Sequence, residues 1–61
     1  GVLALTPARA AALSRMSALD AEVSRCLAML ARPGLPPSVR ANFEAQIAAA
    51  RRLRALAEVV A

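Results

Sequence analysis

Apolar residues in the first half of the chain recur at Met16, Leu19, Val23, Cys26 and Leu30, in steps of 3, 4, 3 and 4. That spacing marks a narrow stripe along one side of an α-helix, the width a single neighbouring helix covers. Leu13 and Leu27 sit beside the stripe, and Ser14, Arg15, Ser17, Glu22, Ser24 and Arg25 take the other side. Ahead of the pattern stands a helix start. Thr6 is a capping residue, and Pro7 follows at the first helical position, where a missing N–H is harmless. No further Gly or Pro occurs before Pro33, so the pattern predicts a first helix over about residues 7–32. Residues 1–5 read as a frayed lead-in, and the start at Gly1 rather than Met reads as a processed or trimmed end.

The segment Arg32-Pro33-Gly34-Leu35-Pro36-Pro37 breaks the periodicity. Proline lacks the N–H that a helix interior needs, so the segment predicts a turn over 33–37. Ser38 is then the expected N-cap of a second helix over 38–60. A connection this short makes the two helices antiparallel neighbours. The expected fold is all-α, a single domain over 1–61 formed by a two-helix antiparallel hairpin.

The second helix is apolar on more than one side. At about 100° per residue, Val39, Phe43, Ile47, Ala50, Leu53, Ala57 and Val60 form one face. Ala41, Ala45, Ala48, Ala49, Leu56 and Val59 form another, turned well away from the first. Arg40, Glu44, Arg51, Arg54 and Glu58 crowd into the remaining sector. Arg52 alone interrupts the Ala-rich side, where its stem can lie along apolar surface. A helix apolar over most of its circumference is usually held between partners. One antiparallel neighbour covers one face, so the hairpin is expected to complete a helical bundle with a partner. The first-helix stripe, with Phe43, Ile47, Ala50 and Leu53, would hold the hairpin. Ala45, Ala49, Leu56 and Val59, with Leu13 or Leu27 at the edge, would bind the partner.

Composition sharpens this expectation. Of 61 residues, 59% are hydrophobic but only 2% aromatic, which leaves little bulk for a core and too few β-formers for a sheet. Small chains without a disulfide or metal generally need another surface to bury against. The hairpin is therefore expected to fold stably only with a partner, either a second copy or another protein. With no His and one Cys, neither a structural zinc site nor a Cys–His nucleophile pair can be built. Cys26 lies on the first stripe and is expected to be a buried structural thiol, a sign of a reducing compartment or simply a small core residue. Asp20, Glu22, Glu44 and Glu58 are the only acids, and no two have an evident reason to converge on a substrate or metal. No catalytic, cofactor or metal site is expected, and the chain does not read as an enzyme. Charges interrupt every apolar run well short of the roughly 20 residues a membrane span needs. Net charge is +4 and all eight basic residues are Arg. Together with the Ala content, this fits a GC-rich genome. Arg51-Arg52-x-Arg54 has the charge to meet phosphate, but no aromatic is available for base stacking and no nucleic-acid motif is present. It reads as a solvated face, and nucleic acid is not expected as a partner. Glu22 and Arg25 are placed to pair along the helix.

Leu19, Val23, Met29 and Leu30, the turn Arg32-Pro33-Gly34, and then Ile47, Leu53, Leu56, Val59 and Val60 together form a pattern found in a known family. Over roughly Leu13 to Ala61 the chain resembles the small E-component co-chaperones of type III secretion needles, the YscE/PscE group. The resemblance implies a cytoplasmic hairpin that pairs with a helical-repeat chaperone and keeps the needle subunit monomeric before export. Two alternatives of other classes stand beside it. One is a docking domain of a multienzyme synthase, where two hairpins form a four-helix bundle. The other is a plain homodimer.

Overall fold

A computed structural model describes residues 5–61 of the chain, so the expected lead-in lies outside the described residues except for Leu5. The chain is an all-α antiparallel hairpin of two equal helices, α1 (Pro7–Leu30) and α2 (Pro37–Val60). It is narrow, with Cα extents of 15 × 11 Å across its long axis.

Thr6 caps α1 as its residue type predicts. Its backbone is extended, its hydroxyl accepts from the Arg9 N–H at 3.1 Å, and Pro7 fills the first helical position. The far end of α1 comes two residues earlier than expected. Ala31 still donates four residues back to Leu27, whereas Arg32 donates three back to Met29, which tightens the last turn and ends the helix. Gly34 then takes φ +78, a left-handed conformation that a Cβ disfavours, and reverses the chain. Ser38 does not cap α2. The helix begins one residue earlier, at Pro37, and Pro36 occupies the cap position without a side-chain hydrogen bond. Two consecutive prolines have φ already near the helical value, so the first turn forms without a capping side chain.

The first-helix stripe faces α2. Leu19 and Cys26 are buried and Met16, Val23 and Leu30 half-buried. Ala12 extends the stripe by one step and is also buried. On α2 the inward line runs Phe43, Ile47, Ala50, Arg54, Ala57, Ala61, in steps of 4, 3, 4, 3 and 4. The expectation for Leu53 is corrected here: it is 51% exposed, and its neighbour Arg54 takes the inward position. Val60 is likewise exposed where Ala61 turns inward. Over about five turns, from Phe43 to Ala61, residue 54 keeps the alternation of 3 and 4 that holds one helix against another, and residue 53 breaks it. Arg54 occupies that line because its stem packs along the hairpin while its head remains in solvent.

Two side-chain contacts fix the register. Arg54 Nε donates to Asp20 Oδ1 at 2.7 Å, and Cys26 Sγ lies 3.6 Å from Gln46 Oε1. Val23 lies midway between these points on α1 and Ala50 midway on α2. A large residue thus stands level with a small one, which lets the backbones approach.

Candidate functional site

The two helices cover about one side of each other and no more. On the back of α2 a second line of residues runs Ala45, Ala49, Arg52, Leu56 and Val59, in steps of 4, 3, 4 and 3. It lies roughly opposite the line that meets α1, as the helical angle requires. Leu56 is 67% and Val59 85% exposed. Leu53 and Val60, both about half exposed, border the line and widen the apolar patch.

The partner-binding residues expected from the sequence do not share one face. Ala45, Ala49, Leu56 and Val59 stand together on the back of α2, with Ala49 half-buried and the others exposed. Leu13 and Leu27 lie elsewhere. Leu27 opens onto a shallow groove of about 330 Å³ with Leu30, Glu44, Ile47, Ala48 and Arg51. Leu56 stands about 140° round α2 from Arg51, out of reach of that groove. Leu13 and Leu27 are separated by two heptads with Asp20 midway, so they flank the Asp20–Arg54 contact on the charged side of the hairpin.

The three clustered arginines also part company. Arg54 reaches across to Asp20 and along its own helix to Glu58, whose Oε1 accepts from Nη1 at 2.6 Å. These two carboxylates hold the Arg54 pKa above its ordinary value, the hydrogen bond to Asp20 contributing most. Arg51 turns toward the groove beside Glu44. Arg52 points out from the middle of the Ala-rich line. The cluster therefore presents no single cationic patch. Glu22 and Arg25 approach to 4.0 Å, a weak pair on an exposed helix surface.

Cys26 is 1% exposed and free of any disulfide, a buried thiol that donates to the Gln46 amide oxygen at 3.6 Å. Among the described residues no group of three or more His, Cys, Asp or Glu side chains is placed to hold a metal ion. No described helix is long and apolar enough to cross a membrane. The sequence singled out the back of α2 but treated Arg52 as an interruption. The 4-3-4-3 spacing places it at the centre of the line, a signal present in the sequence once Leu53 is removed from the hairpin interface. In comparison with known proteins the chain matches no family model, and no curated protein or solved structure shows significant similarity to it.

Proposed function

We propose that the hairpin is a protein-interaction module without catalytic activity, and that the back of α2 is the surface it offers. One observation carries this reading: a line of small and aliphatic residues broken only by Arg52, with Leu56 and Val59 largely in water, on the side of α2 that α1 leaves bare. Monomeric proteins seldom leave a contiguous apolar patch of this kind without a use for it. Ala45 and Ala49 let a foreign helix come close, and Leu56 and Val59 give it apolar area to bury.

Within that class the chain acts as a cytoplasmic co-chaperone of the needle type, pairing with a helical-repeat chaperone that keeps a needle subunit from polymerising before export. The resemblance at Leu19, Val23, Met29, Leu30, Arg32-Pro33-Gly34, Ile47, Leu53, Leu56, Val59 and Val60 supports this reading. The bare face of α2 supports the general role. The test is affinity purification of the chain from its native host. Leu56→Glu should lose a helical-repeat chaperone that Arg40→Ala retains. Recovery of a second hairpin from the terminus of a large synthase would replace the co-chaperone by a docking domain. Equal loss from both substitutions would remove the back of α2 as the binding face.

A further inference from the structure

We propose that the back of α2 is built to reject a second copy of this chain and to accept a different helix, one carrying a carboxylate within its own apolar line at the level of Arg52. The proposal rests on the reading of that face as a docking surface and names the chemistry of what docks.

The line Ala45, Ala49, Arg52, Leu56, Val59 is nearly symmetric about its centre. If two copies paired antiparallel with the whole line in contact, Ala45 would face Val59 and Ala49 would face Leu56 of the second copy. Small against large is a favourable packing, so shape alone favours a homodimer. The same pairing sets Arg52 directly against Arg52 of the second copy. A parallel pairing in register does so too. Two guanidinium groups would then be drawn out of water in a contact that supplies neither with an acceptor, which is costly.

The chain has no carboxylate to relieve this conflict. Asp20 and Glu58 are both held by Arg54. Glu22 lies beside Arg25 on α1. Glu44 sits in the groove with Leu27 and Arg51, about 80° round α2 from Arg52. The net charge of +4 adds a general repulsion between copies. A foreign amphipathic helix with Asp or Glu opposite Arg52 would convert the penalty into a charge-assisted hydrogen bond surrounded by Ala, Leu and Val. A single polar residue in an apolar helix line sets partner choice in just this way.

The test uses the chain itself as the probe. Wild type, Arg52→Leu, Arg52→Glu and an equimolar mixture of wild type with Arg52→Glu are compared by sedimentation equilibrium and by helicity at 222 nm. Leu and Glu are good helix formers, so neither change disfavours α2. Arg52→Leu should self-associate at least about tenfold more tightly than wild type, the equivalent of about 1.4 kcal/mol. Arg52→Glu alone should stay as weakly associated as wild type, since it sets carboxylate against carboxylate. The mixture should form a 1:1 complex, with more helix than the mean of its components, that weakens in 1 M NaCl. Should Arg52→Leu aggregate, the mixture decides. Wild type that self-associates as tightly as Arg52→Leu, or a mixture no tighter than its components, would overturn the proposal while leaving the docking face in place. A helical monomer in all four samples at millimolar concentration would overturn the docking face as well.

Discussion

Arg54 shows how one long side chain serves two purposes. Its stem lies on the line of α2 that meets α1, and its guanidinium takes carboxylates from both helices. Because those partners raise an already high pKa, the stabilisation is fully present below the ordinary arginine value and is lost only as pH rises beyond the raised one. The Arg54 guanidinium therefore introduces no pH dependence of stability between pH 6 and 10. A thermal melt of wild type against Arg54→Met should show a difference that is constant over that range and narrows between 0.1 and 1 M NaCl, since the pair is solvent-exposed and screened. A difference unchanged by salt would mean that the stem, not the charge, carries the contribution. Cys26 is the complementary case, a small side chain held inside the hairpin. Its labelling by a thiol reagent should be slow in native buffer and immediate in denaturant. Cys26→Ala should cost about 1 kcal/mol, from lost packing and the Gln46 contact.

At the scale of elements, the hairpin depends on how each helix begins and how the turn reverses. Thr6 gives α1 a side-chain cap, and α2 relies on Pro36 and Pro37 instead. Thr6→Ala should therefore lower stability by about 1 kcal/mol, measured by urea denaturation. No comparable loss is expected from Ser38→Ala, because Ser38 lies inside α2 and makes no capping bond. Gly34 is the point at which the turn demands a left-handed residue. A Cβ there would meet nothing within 4 Å, so its cost is purely conformational. Gly34→Ala should destabilise by about 1–2 kcal/mol. Gly34→Asn should destabilise by less, since Asn tolerates the left-handed region. Equal effects from the two would mean that the turn changes conformation when substituted.

For the whole molecule, the governing fact is that two helices share one contact while α2 is apolar on two sides. Inward and outward substitutions should separate cleanly. Ile47→Ala removes a buried side chain and should cost about 2–4 kcal/mol of hairpin stability. Leu56→Glu should change the stability of the isolated chain by less than about 0.5 kcal/mol, because the side chain is already mostly in water. Its effect should fall on association alone, read by sedimentation equilibrium as loss of the 1:1 complex when Leu56→Glu replaces wild type in the mixture with Arg52→Glu. If Leu56→Glu melted the hairpin as Ile47→Ala does, α2 would be packing on its outer face even in the isolated chain.

The sequence by itself determined two helices, their antiparallel order and a turn at Gly34. It also placed Leu19 and Cys26 in the buried line and marked α2 as having more apolar surface than α1 covers. Each of these follows from local physics: a capping threonine, prolines that interrupt a helix, and apolar spacing that repeats over several turns. What only the tertiary structure decided was the phase of the contact. At about 100° per residue, positions 53 and 54 lie on either side of the apolar face read from the sequence, and hydrophobicity alone assigns Leu53 to it. The packed helices turn Arg54 inward instead, where it meets Asp20, and leave Leu53 in solvent. Ala12 was illegible for a related reason: within a run of alanines, burial leaves no contrast in the sequence. The division of Leu13 and Leu27 from Ala49 and Leu56 also depends on how one helix sits against another. Periodicity fixes angles within a helix, and only packing fixes the angle between two.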